Sequence, residues 1–92
     1  MSDTKDAAAT NMVAIENFNF APTAITVKKG TTVTWTNNDS VKHNVVGDNL
    51  DALKGPLLEK GKSYTYTFTT VGTFTYHCDP HPYMKGTVTV TE

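Results

Sequence analysis

Apolar and polar residues alternate with a period of two along most of the chain, and no segment holds a helical period for three turns, so the chain predicts strands. "MVAIENFNF" (Met12–Phe20) predicts a first strand that is broken at Ala21-Pro22. "AITVKKG" sets Ile25 and Val27 on one face and stops at Gly30. In "TTVTWTNN", Val33 and Trp35 share a face opposite Thr32, Thr34 and Thr36. Asn37-Asn38-Asp39-Ser40 is a turn cluster, and "KHNVVG" predicts a short strand ending at Gly47. Between Asp48 and Lys60 the pattern dissolves, and "NLDALKG" predicts one helical turn closed by Gly55-Pro56.

Alternation then returns. Tyr64, Tyr66 and Phe68 line one face, Val71-Gly72 turns the chain, and Phe74, Tyr76 and Cys78 point one way while Thr73, Thr75 and His77 point the other. Val88 and Val90 close the chain on the inward side. About seven to eight short strands at regular spacing predict an all-β fold, an antiparallel Greek-key β-sandwich. Residues 1–11 are expected to be a flexible tail and residues 12–92 a single domain.

Composition narrows the function. Eight lysines and no arginine stand against nine acidic residues, a net charge of -1. That balance carries no footprint for nucleic acid or an anionic membrane. No apolar run reaches the length of a membrane span. "MSDTKDAAAT" lacks the apolar stretch of a signal peptide. A single cysteine forms no internal disulfide, so stability comes from packing, a metal, or both.

That one cysteine lies in "YHCDPHPYMKG" (76–86), where Cys78-x-x-His81-x-x-Met84 offers a thiolate, an imidazole and a thioether within seven residues. Pro80 and Pro82 flank His81 and oppose a regular ladder, which predicts a tight loop after Cys78. A fourth ligand has to come from elsewhere, and His43 in "KHNV" is the candidate. Two His and one Cys with a weak axial Met make a blue-copper electron-transfer site. Zinc also accepts Cys and His, but structural zinc sites pair their Cys or His at fixed spacings and do not use Met. Taken singly, Cys78 and Met84 read as core residues and His43 as a satisfied polar group. Coincidence of all three with one spacing and one strand register favours the site. His77 lies on the opposite face from Cys78 and is read as a structural or surface histidine. A Cys-His nucleophile is the chemical competitor, but no third orienting residue is evident and Met has no role in it.

These residues resemble the cupredoxins, the small blue copper proteins. Within that family the chain looks most like the amicyanin type, through "YHCDPHPYMKGTVTV", "ITVKKGTTVTWTN", "HNVV", "ALKGPLL" and "VGTFTYHC". The resemblance implies one type 1 copper ion, with His43, Cys78 and His81 as equatorial ligands and Met84 as the axial one. It also implies that Asn44 ties the two ligand segments from outside the ligand shell. His81 would be the electron port, ringed by Pro80, Pro82, Tyr83, Pro56, Leu57 and Leu58. The implied function is single-electron shuttling between redox proteins, for example a dehydrogenase donor and a c-type cytochrome acceptor. The chain would then be a non-enzymatic monomer working in the periplasm or otherwise outside the cytoplasm. A copper carrier or store using the same ligands is the alternative. Lys42, where such proteins have Pro, and Asp79, where they have Thr or Ser, bear on the potential with opposite sign.

Overall fold

The structure, a computed structural model, describes residues 8–92. Among these it forms eight strands: β1 (Met12–Glu16), β2 (Asn19–Ala21), β3 (Ala24–Lys28), β4 (Thr31–Asn37), β5 (Val46–Gly47), β6 (Ser63–Phe68), β7 (Gly72–Cys78) and β8 (His81–Thr91). They make two four-stranded sheets, ordered β2-β1-β4-β6 and β3-β8-β7-β5, packed as a cupredoxin-like sandwich. No helix among the described residues is long and apolar enough to cross a membrane.

Strand parity holds where the alternation is cleanest. In β4, Val33, Trp35 and Asn37 are buried, and in β7 the buried positions are Phe74, Tyr76 and Cys78. Trp35, Tyr76, Phe20 and Phe68 are among the largest fully buried side chains. Tyr76 meets Trp35 edge to face at 5.5 Å and Phe20 at 4.7 Å, the offset geometry that aromatic quadrupoles favour. On the outer side Thr32 and Thr67 share a hydroxyl hydrogen bond of 2.7 Å across β4 and β6, and Thr36 and Ser63 another of 2.8 Å.

Three expectations change. The segment expected as one strand from Met12 to Phe20 is a hairpin, because Asn17 and Phe18 take φ of 53° and 58° and turn β1 back onto β2. The sandwich is not wholly antiparallel: β1 runs parallel to β4, and β3 parallel to β8. Side-chain periodicity is the same in both directions, so it carried no sign of this. The helical turn expected in "NLDALKG" does not form. Residues 50–58 instead run back along 43–47, with Gly47 N–H donating to Leu53 O at 2.6 Å and Gly55 N–H to Val45 O at 2.8 Å. Burial of Leu53 and Leu58 fastens this stretch to the core.

Of the tail expected at 1–11, residues 1–7 lie outside the described residues. Ala8 makes a parallel bridge with Ile25, and Asn11 O accepts the Thr34 N–H at 2.9 Å.

Gly86 is buried in β8 directly under the Tyr76 ring, and a Cβ there would meet the ring's Cζ and Oη. Tyr76 is itself enclosed and has nowhere to go. Gly86→Ala should therefore cost about 1–3 kcal/mol of stability, as overpacked cores do, with a matching fall in the urea midpoint. An unchanged midpoint would show that the sheet absorbs the methyl group.

Candidate metal centre

β7 and β8 are joined by a turn at Asp79-Pro80, and their register breaks at its base. Cys78 pairs with His81, yet the next ladder pair is His77 with Lys85. Pro82, Tyr83 and Met84 are therefore a bulge on β8 with no counterpart on β7. The tight loop expected after Cys78 is thus a two-residue turn followed by a bulged strand. Proline suits a bulge because no ladder N–H is needed there. Met84, at 2% exposure, is in phase with the buried Gly86, Val88 and Val90, and the irregularity falls on Pro82 and Tyr83, which are both exposed.

His43 reaches the same point from the segment between the sheets. It exchanges backbone hydrogen bonds with Leu58, donating at 3.3 Å and accepting at 2.7 Å. The Nδ1 atoms of His43 and His81 each lie 3.6 Å from Cys78 Sγ, and the three donor atoms all fall within 4.8 Å of one another. Two donors about 2.0–2.3 Å from one ion would stand about 3.5–3.7 Å apart, so the spacing fits a single metal. His43 and Cys78 are buried, while His81 is partly exposed. This donor set, with the Met84 thioether beside it in sequence and buried, suits type 1 copper.

Polar groups outside the cluster orient it. The His43 Nε2 lies 2.9 Å from Asp39 Oδ2. A carboxylate only accepts, so Nε2 carries the hydrogen and Nδ1 keeps its lone pair toward the cluster. Burial works against ionising Asp39, but the N–H groups of Phe18 and Asn17 and the His43 ring outweigh it and lower its pKa. Asn37 is fully buried and fully engaged: its Nδ2 donates to Val41 O at 2.9 Å and Leu58 O at 2.8 Å, and its Oδ1 accepts from Asp39 N–H at 2.8 Å. Asn44 Oδ1 accepts the Asp79 N–H at 2.8 Å, which ties the His43 segment to the ligand hairpin.

Asp39, Asn37 and Phe18 were not singled out in the sequence. Asp39 and Asn37 sat in what read as an ordinary turn cluster, and only folding brings Phe18 near. Its ring lies edge-on to both His43 and His81. Of the collar expected around His81, Pro56, Leu57, Pro80, Pro82 and Tyr83 are exposed, but Leu58 is buried at 5% and belongs to the core. Lys42 points to Glu59 at 3.9 Å in an exposed ion pair of little energetic weight.

His77 stands apart from the cluster on the outer face of β7. Its Nδ1 lies 2.6 Å from Asp48 and its Nε2 2.9 Å from Asp79, so both nitrogens face acceptors and the imidazolium is favoured.

The pattern of copper binding proteins of the plastocyanin/azurin family matches residues 7–91, so the chain belongs to that family of blue copper proteins. Amicyanin of Paracoccus denitrificans is 42% identical over 85 residues, covering 86% of this chain and 63% of its own length. Plastocyanin of Scenedesmus fuscus is 43% identical over 83 residues, covering 77% of this chain and 85% of its own. The structure of a reduced amicyanin mutant superposes with a TM-score of 0.81 at 41% identity, covering 91% of this chain and 84% of that one. The chain spans about 63% of the length of the two Paracoccus amicyanins it matches.

The His77 contacts predict a pH dependence. Hydrogen bonding to Asp48 raises the His77 pKa above 6.5, against a smaller opposing effect of burial, and Asp79 adds to the rise. For Asp48 burial works upward, but the Thr75 hydroxyl and His77 outweigh it and hold its pKa below 3.8. The His77 contribution is complete below its unfolded pKa and is lost as pH rises through the raised folded value. The Asp48 contribution is complete above its unfolded pKa and is lost as pH falls through the depressed one. His77→Gln should therefore lose more stability, relative to the parent, at about pH 5 than at about pH 9. Equal losses in urea unfolding at the two pH values would contradict this pairing.

Proposed function

We propose that His43, Cys78 and His81 hold a copper ion as equatorial ligands, with Met84 as the axial one, and that the chain shuttles single electrons between larger redox proteins. The observation that carries this reading is the convergence of Cys78 Sγ with two imidazole Nδ1 atoms at 3.6 Å each, His81 alone being partly exposed. Copper bound by such a set supplies a one-electron couple whose two oxidation states need little rearrangement. The protein's own part is to present the donors in a fixed arrangement. Asp39 sets the His43 tautomer, Asn44 ties the two ligand segments, and the β8 bulge sets His81 opposite Cys78 while Met84 stays inward. No substrate bond is made or broken, so the chain is an electron carrier and not an enzyme.

His81 is the electron port in this reading. Around it the chain offers exposed apolar side chains: Tyr83 at 68%, Leu57 at 51% and Phe18 at 36% exposure. Brief docking of a dehydrogenase donor and a c-type cytochrome acceptor suits a small apolar surface of this kind. The resemblance to the amicyanins supports this pairing, a monomeric carrier, and work in the periplasm or elsewhere outside the cytoplasm.

Adding Cu(II) to the metal-free protein should produce an intense visible thiolate-to-copper band that is absent in Cys78→Ser. A colourless protein that binds only zinc would sink the copper reading, and rapid passage of the ion to an acceptor protein would favour a copper carrier.

Leu57→Glu should keep the visible band and slow electron transfer to a c-type cytochrome about tenfold or more in stopped-flow, since a buried unpaired carboxylate opposes docking. An unchanged bimolecular rate would place the port elsewhere.

A further inference from the structure

The hairpin turn between β1 and β2 makes contacts that metal ligation does not require. The Phe18 ring meets His43 at 5.2 Å and 87°, and His81 at 5.0 Å and 90°. The two imidazoles are themselves 5.0 Å apart, so the three rings close a triangle in which Phe18 alone has no donor atom. Phe18 reaches this place at φ of 58°, next to Asn17 at 53°. Left-handed backbone is common enough for Asn but is an outlier for a bulky residue such as Phe. A hairpin tip serving only as a turn would take Asn-Gly at these positions.

Asp39 holds that turn in place. Its Oδ1 accepts the Asn17 N–H at 2.8 Å and its Oδ2 the Phe18 N–H at 2.9 Å. The same Oδ2 is 2.9 Å from His43 Nε2. One carboxylate thus governs both the His43 tautomer and the backbone that sets the Phe18 ring against the two imidazoles.

We propose that Phe18 and Asp39 form one positioning unit for the metal centre. Asp39 fixes His43 directly and, through the strained turn, braces the partly exposed His81 by way of Phe18. Neither residue ligates the ion. Loss of Asp39 also releases the brace that loss of Phe18 removes, because Phe18 is correctly placed only while Asp39 holds its N–H. This rests on the copper reading given above.

The test compares Phe18→Ala, Asp39→Asn and the double variant with the parent. In the copper-loaded proteins, each single substitution should speed loss of the ion to a chelator by about tenfold or more, the scale set by groups that orient ligands. The double variant should exceed the faster single by no more than about twofold, as for residues acting together. Phe18→Ala should also shift the visible band and the reduction potential, and Phe18→Tyr should restore all three. In the metal-free proteins, the His43 Nε2–H held by Asp39 should exchange slowly in the parent and faster in Phe18→Ala. That arm is independent of copper, so a parent that takes up no copper would overturn the copper reading and leave the coupling of Phe18 to His43 still measurable. Multiplicative effects in the double variant would overturn the proposal. So would a Phe18→Ala protein that is merely less stable, with its band, potential, release rate and Nε2–H all unchanged.

Discussion

β7 and β8 pair in register from Gly72 with Val90 down to His77 with Lys85, and there the ladder stops matching. One step on β7 reaches Cys78, whereas β8 needs four residues to reach its partner His81. The rest of the site end depends on this mismatch. A regular hairpin would keep strict alternation, placing His81 and Met84 on opposite faces of β8. The bulge breaks that parity: Met84 keeps the inward phase of Gly86, Val88 and Val90, while His81 is brought to the same donor cluster as Cys78 and stays partly exposed. The two prolines are compatible with it because neither has to donate to a ladder.

A hairpin alone would still lack the buried histidine. His43 is supplied by a segment that is barely strand and is held by a polar network instead. Asn37, Asp39 and Asn44 are drawn in toward the core; the side chains of Asn37 and Asp39 have their partners, and Asn44 Oδ1 accepts the Asp79 N–H. Unpaired polar groups here would be costly in a low dielectric, and the Asp39 contact leaves His43 a single orientation. The same network reaches to the β1–β2 turn through Asp39, so elements distant in sequence share one set of hydrogen bonds.

Much of the fold and of the centre was legible in the chain. Alternation in "TTVTWTNN" and "TFTYHC" placed Trp35, Tyr76 and Cys78 inward, and the same parity set His77 outward, where Asp48 and Asp79 now hold it. Where the reading failed, local pattern had no information. Asn17-Phe18 carries no glycine to mark a turn, and the left-handed backbone there is accepted only because a carboxylate from another segment accepts its N–H groups. The stretch around Leu53 offered helix-like spacing, but its backbone found better partners in Val45 and Gly47. The family resemblance put Leu58 in the surface collar with Pro56 and Leu57, but the bridge to His43 turns it inward.

The sequence by itself determined the strand periodicity, the inward face of each long strand and the donor types: one thiolate, one imidazole and a thioether around one turn, with a second imidazole to come from elsewhere. Those properties are local, because side-chain direction in a strand and metal preference follow from residue type and spacing alone. Only the tertiary structure decided strand direction, the pairing of His43 with Leu58, and the enlistment of Asp39 and Phe18. Each of these joins segments some fifteen or more residues apart, or depends on such a junction, and no local pattern records which distant backbone group will meet a given hydrogen-bond donor.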